Sequence, residues 1–85
     1  MDEERIGKVV KFFAKPSVAA VEVTAGGLRV GDRIRIKGHT TDLEETVESM
    51  QVEKESIDAA KPGDLIGIKV KDRVREGDTV FKVPA

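Results

Sequence analysis

Isoleucine and cationic residues alternate strictly over residues 33–37, which read Arg-Ile-Arg-Ile-Lys. A period of two is the pattern of a β-strand with one buried face and one solvated face. β-Branched and aromatic residues dominate four other segments, which favours strands there as well. These segments are 6–14, 18–23, 65–71 and 79–83. Because Pro16 interrupts the chain between the first two, we predict that they form a hairpin.

The segment 43–52 fits two patterns. As a helix it would carry Leu43, Val47 and Met50 on one face. As a strand it would place Met50 on the face opposite to the other two, and this change of parity needs a β-bulge near Glu48-Ser49. The periodicity alone slightly favours the helix.

Glycine followed by aspartate recurs three times, each time ahead of a β-type run. Glycine can adopt the positive φ of a tight turn, and an aspartate side chain can accept a hydrogen bond from a nearby main-chain N–H. We therefore predict structural turns at three pairs of residues: Gly31 and Asp32, Gly63 and Asp64, Gly77 and Asp78. Short strands separated by such turns indicate a β-sandwich or a β-barrel, and closure of a barrel removes the exposed sheet edges.

With 85 residues, the chain has room for a single domain, 1–85, with one modest core. Hydrophobic residues make up 39% of it, which is enough for folding and argues against disorder. The absence of cysteine excludes disulfides and thiolate metal sites. No apolar run has the length of a signal peptide core or a membrane span, so we expect a cytoplasmic protein with an acidic, flexible end at residues 1–5. The lack of Asn and the 36% of charged residues suggest a thermophilic source.

Charges are nearly balanced, with 15 Lys or Arg against 16 Asp or Glu, but they are unevenly distributed. We interpret the carboxylates between residues 42 and 58 as a solvated acidic face. Two rows of cations would project from strand faces, the second on condition that its strand continues past Asp72. The rows are Arg33, Arg35 and Lys37, and Lys69, Lys71, Arg73 and Arg75. Such rows can follow a phosphate backbone, and they are also the charged outer positions that any small barrel requires.

The adjacent residues Phe12 and Phe13 stand out because aromatic residues are few. In a regular strand one of the two must point outward, which makes the pair a candidate anchor for a protein partner.

His39, together with Asp42 and Glu44, could contribute metal ligands from one loop. One imidazole with hard oxygen ligands is a poor start for a zinc site, so we interpret His39 as a loop residue that bonds locally. Nothing in the local sequence favours a His-based triad, and no isolated pair of carboxylates marks general acid–base catalysis. We therefore predict no catalytic residue, no metal and no cofactor.

Four phrases in register resemble the second, β-barrel domain of translational GTPases of the elongation factor Tu type. They are residues 28–38, 47–52, 60–68 and 74–80. The resemblance is strongest to small translation elongation factor-like proteins, and the same barrel is similar to accessory domains of some collagenase-like peptidases. It implies an all-β fold, a small closed antiparallel β-barrel of the translation-factor domain-2 type. Six to seven strands are expected, including one over 43–52, with at most one short helical turn near 56–61.

The sequence departs from the translational GTPases because it contains no Gly-x-x-x-x-Gly-Lys-(Ser/Thr) motif, so nucleotide binding and hydrolysis are not implied. The tRNA-pocket residues of that family have no matching positions. The resemblance implies a non-catalytic binding module that contacts RNA or a ribonucleoprotein, a ribosome or tRNA, through the basic strand faces. The alternative is a protein–protein adaptor or accessory domain that docks on a separately encoded enzyme or GTPase.

Overall fold

The computed structural model describes residues 3–53 and 55–83, and over these residues the chain forms ten β-strands and no helix. In chain order the strands are β1 (Glu4–Phe13), β2 (Val18–Val23), β3 (Leu28–Arg29), β4 (Arg33–Lys37), β5 (Asp42–Thr46), β6 (Met50–Val52), β7 (Glu55–Ile57), β8 (Ala59–Ala60), β9 (Leu65–Lys69) and β10 (Thr79–Val83). Eight of them form one antiparallel sheet in the order β5-β4-β10-β1-β2-β9-β6-β7, and β3 pairs with β8 in a small second sheet. The prediction of an all-β fold is confirmed.

Strands β2, β4 and β10 begin and end at the residues that the hydrophobic pattern predicts. β1 and β2 form the expected hairpin, with Phe13 opposite Val18. The segment 43–52 contributes two strands, β5 and β6, separated by a break at 47–49, where the strand pattern required a change of parity. Pairing with strands distant in sequence decides between helix and strand here, since β5 pairs with β4 and β6 pairs with β9.

The short helical turn that the prediction allowed near 56–61 does not form. The chain is extended there, with β7 ending at Ile57 and β8 at Ala60. β7 pairs with β6, and β8 pairs with β3 through Ala60 opposite Leu28. These ladders supply hydrogen bonds that a single isolated turn of helix cannot, and they outweigh the local helical preference of the two alanines.

The residues expected to form a flexible end are partly in a strand. Glu4 and Arg5 open β1 and pair with Lys82 and Phe81 of β10. Residues 1 and 2 lie outside the described residues.

The core is one continuous cluster of aliphatic side chains on the inner face of the large sheet. Alternate residues of the long strands contribute to it, as where Val21 of β2 lies opposite Ile66 of β9 and Val80 of β10 lies opposite Ile36 of β4. In β4 the charged residues Arg33, Arg35 and Lys37 alternate with the core residues and point outward. The arrangement is the amphipathic strand that residues 33–37 predict.

The prediction of a closed barrel is wrong. In the described part of the chain, β5 and β7 are the two edges of the eight-stranded sheet and do not pair with each other. The turn after β3 bridges these edges. The N–H of Val30 donates to the carbonyl oxygen of Asp58, just after β7, and the N–H of Gly31 donates to that of Val47, just after β5, both at 2.9 Å. The main chain of the turn therefore occupies the place where a barrel would have a continuous ladder.

The three Gly-Asp phrases form turns of one geometry. The φ angles of Gly31, Gly63 and Gly77 are 99°, 99° and 90°. In each turn the aspartate accepts a hydrogen bond at its Oδ2 from the N–H three residues earlier. The donors are Arg29 to Asp32 at 2.9 Å, Lys61 to Asp64 at 3.0 Å and Arg75 to Asp78 at 2.8 Å. Each turn is thus closed by its own side chain.

Candidate docking surface

The outward face of β4 and β5 is covered by ion pairs. Arg35 donates through Nε to Asp42 Oδ1 at 2.9 Å and through its terminal nitrogens to Asp42 Oδ2 and Glu3 Oε2, both at 3.1 Å. Arg33 donates through Nε to Oε2 of Glu44 on the neighbouring diagonal. Strand register causes this pattern, because Arg35 lies directly opposite Glu44 and reaches diagonally to Asp42. We call this the charged face.

Pairing on the charged face shifts the pKa values of its members. The hydrogen bonds and charge of Arg35 hold the pKa of Asp42 below its ordinary value, and the same contacts raise the pKa of Arg35 further. The predicted row of Arg33, Arg35 and Lys37 does share one strand face. Two of its three cations are already bound to carboxylates, so the row does not offer a free positive array to a phosphate backbone.

The second predicted row does not form along a strand. β9 ends at Lys69, and the chain then bends through Lys71 and Asp72. The buried side chains of Val70 and Val74 direct this segment around the end of the core. In the sheet, β10, β1 and β2 separate this row from the one on β4.

The two arginines of that row line an open cavity. Arg73 and Arg75 border a volume of about 620 Å³ together with Phe12, Val74 and Glu76. Both arginines are exposed, so this end of the molecule is an open, solvated surface rather than a shaped pocket.

The outward face of the sheet also carries an apolar groove, on β1, β2, β9 and β6. Its volume is about 540 Å³, and its walls and floor include Phe13, Val18, Ala20, Gln51, Leu65 and Gly67, together with the carboxylate of Glu53. Two of these side chains are large and exposed, Phe13 at 44% and Leu65 at 58%. Exposed large apolar side chains that share one concave surface are typical of a contact site.

Strand register explains the depth of the apolar groove. Ala20 of β2 lies opposite Gly67 of β9, and Gly67 lies opposite Gln51 of β6. The two smallest side chains therefore form the floor. A Cβ atom on Gly67 would lie 3.2 Å from Cγ1 of Val18, so even alanine would begin to fill the floor.

The adjacent phenylalanines have different environments, as the strand parity predicts. Phe12 is half-buried and packs against the core, whereas Phe13 points outward into the apolar groove. The Nζ of Lys11 lies 5.3 Å from the centroid of the Phe13 ring, which is the geometry of a cation–π contact. Leu65 carries no such signal in the sequence, because it opens an apolar run that reads as buried on both faces.

One carboxylate of the segment 42–58 is not on a solvated face. Glu45 is 4% exposed, and its Oε1 accepts a hydrogen bond from the N–H of Lys71 at 3.2 Å. Burial raises the pKa of Glu45. The sequence carries one indication that Glu45 is buried, which is its position between Leu43 and Val47 at a spacing of two. In an edge strand this spacing places all three side chains on the inward side.

His39 is exposed in the loop after β4. Among the residues 3–53 and 55–83, no three His, Asp or Glu side chains are grouped so that they could hold a metal ion. Asp42 and Glu44, the possible co-ligands of His39, are bound to arginines.

A membrane-spanning helix is absent from the described part of the chain.

Comparisons with known proteins point to peptidases. No family model matches the chain. It is 46% identical over 77 residues to an uncharacterized protease of Methanocaldococcus jannaschii, covering 89% of this chain and 19% of the protease. It is 36% identical over 78 residues to a collagenase of Porphyromonas gingivalis, covering 91% of this chain and 22% of the collagenase. The chain thus spans about one fifth of the length of these relatives.

The fold is that of a solved peptidase domain. The C-terminal domain of a Geobacillus thermoleovorans protein assigned to the U32 peptidases superposes with a TM-score of 0.87 at 23% identity, covering 95% of this chain and 93% of that one. Its selenomethionine variant gives a TM-score of 0.86 and covers 93% of this chain and 99% of that one.

The expected identification with translation elongation factor-like proteins, and with it the RNA-binding and ribosome-binding function, is wrong. The relatives are named protease and collagenase, and the structural neighbours are a U32 peptidase domain. The Gly-Asp phrases misled for a physical reason. They encode a turn geometry that several β-domains share, and turn geometry carries no information on function. The comparisons agree better with the alternative, an accessory domain of an enzyme.

Proposed function

We propose that this chain is an accessory β-domain of a U32-type peptidase, which associates with the rest of that enzyme and contributes no catalytic group of its own. The observation that carries the proposal is the extent of the similarity to the archaeal protease, which is 46% identity over 89% of this chain but 19% of the protease. A match of this kind corresponds to one domain of a larger enzyme. The remaining four fifths of such an enzyme is the natural partner.

The non-catalytic role is supported by the hydrogen bonds and ion pairs in which the polar side chains are already engaged. Ser17 Oγ donates to the carbonyl oxygen of Val70 at 2.7 Å and so holds the β1–β2 turn to the segment after β9. The aspartates of the three turns accept main-chain N–H groups, and Arg33 and Arg35 are bound to carboxylates. These groups stabilise the fold, which leaves them unsuited to act as a nucleophile or a general base.

A reconstitution experiment tests the proposal. The segment that matches this chain is deleted from the M. jannaschii protease, and the truncated enzyme is titrated with this chain in a calorimeter. We expect a one-to-one complex with a dissociation constant below about 100 μM, the range of a transient domain interface. An unrelated β-domain of similar size serves as the control. Absence of heat and of co-elution at this concentration would refute association, and hydrolysis of peptides by this chain alone would refute the non-catalytic role.

A further inference from the structure

We propose that the apolar groove is the surface by which this domain binds the rest of the peptidase, an inference that rests on the proposed function. Its occupant is a segment of the peptidase that presents one large apolar side chain next to an acidic residue. Size, shape and charge of the groove each support this occupant.

The shape of the groove fits a single large side chain. Phe13 and Leu65 stand on its rim, while Ala20 and Gly67 leave the floor open. A hole with small residues at its centre and large apolar residues at its edge accepts a leucine or an aromatic ring as a knob, and such buried anchors dominate the energy of protein interfaces. The charged face on β4 and β5 offers no comparable contact, because its side chains already bind one another.

The charge at the rim selects an acidic neighbour for that knob. Lys11 lies over the ring of Phe13, and Lys69 lies directly opposite Val18 of the groove wall, whereas one carboxylate, Glu53 after β6, lines the groove itself. Neither lysine forms an ion pair with another described residue, whereas Lys8 on the same face pairs with Glu22 at 3.8 Å. Two unpaired cations beside Phe13 and Val18 favour a carboxylate on the partner at this part of the groove, whereas Glu53 disfavours one where it lines the groove.

Three variants of this chain, compared with one control, test the inference in the reconstitution experiment. The double substitution F13S/L65S removes both rim side chains, and we expect it to weaken binding by about tenfold or more. The substitution A20L fills the floor while adding apolar surface, so it should also weaken binding about tenfold if the groove receives a knob. Non-specific hydrophobic binding that needs no knob would instead be strengthened by A20L. The substitution K11E should weaken binding several-fold and reverse the effect of added salt.

Val30→Ser is the matched control, since Val30 is a comparably exposed apolar residue, at 41%, that does not line the groove. Circular dichroism and thermal unfolding establish that each variant is folded. If the wild-type chain binds and F13S/L65S and A20L bind equally well, the groove inference is wrong while the proposed function stands. If the wild-type chain does not bind, the proposed function fails. A second copy of this chain is the other candidate occupant, and light scattering of the chain alone tests it. A dimer that is lost in F13S/L65S would assign the groove to a second copy and overturn the inference.

Discussion

The main-chain N–H of Val9 donates to the carbonyl oxygen of Asp78 at 2.8 Å, and the carbonyl oxygen of Val9 accepts from the N–H of Gly77 at the same distance. The other two turns repeat this reciprocal pair, with Val23 bonded to Gly63-Asp64 and Val47 bonded to Gly31-Asp32. All three valines are fully buried. Each Gly-Asp turn therefore does more than reverse the chain, because it attaches the start of the strand that follows it to a buried valine elsewhere in the core.

Removing the carboxylate of Asp78 should destabilise the domain. Asp78 is 5% exposed, and its Oδ2 is the acceptor for the N–H of Arg75. We expect Asp78→Ala to lower the free energy of unfolding by about 1–3 kcal/mol, measured by urea denaturation, because a partly buried donor loses its partner. Asp78→Asn keeps an acceptor and should recover most of the loss. Asp72→Ala is the control, since the carboxylate of exposed Asp72 bonds, among the described residues, only its neighbour Arg73. An equal loss there would contradict the turn as the cause.

Alanine at Gly63 should be costly although there is room for it. A Cβ atom at this position meets no heavy atom within 4 Å, but φ is +99°, where L residues are strained. We expect Gly63→Ala to reduce stability by about 1–2 kcal/mol for this backbone reason alone. The chain is short enough for chemical ligation, and D-alanine at the same position should restore wild-type stability because it favours positive φ. An equal penalty for both enantiomers would show that space, not φ, is limiting.

The stability contributed by Glu45 should fall as the pH rises. Its pKa in the folded state is raised above the ordinary value of 4.5 by burial, so between these two pKa values the native state holds more protons than the unfolded state. The free energy of unfolding therefore decreases with rising pH across that window. In Glu45→Gln the dependence is absent, and the variant should gain stability relative to wild type on going from about pH 4 to about pH 8. Glu48→Gln, at an exposed neighbouring carboxylate, should retain the dependence. Parallel pH profiles of wild type and Glu45→Gln would contradict the assignment.

Arg35 should control the titration of Asp42. Its hydrogen bonds keep the pKa of Asp42 below the ordinary value of 3.8, so the pair stabilises the fold above that pH and the contribution is lost as the pH falls through the lowered pKa. In Arg35→Gln, the carboxyl carbon of Asp42 followed by NMR should titrate at a higher pH than in wild type. Arg33→Gln should leave it in place, since Arg33 binds Glu44 instead. An unchanged midpoint in Arg35→Gln would contradict the pairing in solution.

Much of the fold could be predicted from local pattern. The alternation over residues 33–37 predicts β4 to the residue, and the pair Phe12 and Phe13 had to include one outward ring. The groove itself could not be predicted, because its floor requires Ala20 and Gly67 to lie opposite each other. That juxtaposition depends on the register between strands separated by more than 40 residues, and no local periodicity reports it.

The sequence by itself determined the positions of the main strands and of the turns, because these depend on side-chain period and on the φ preference of glycine. The tertiary structure decided which charged side chains are paired, buried or solvated. It binds Arg33 and Arg35 to carboxylates, buries Glu45, and leaves β5 and β7 as edges bridged by a turn. A charged residue reads the same in a sequence whether it is solvated, paired or buried, and only the neighbours brought by distant strands distinguish these states.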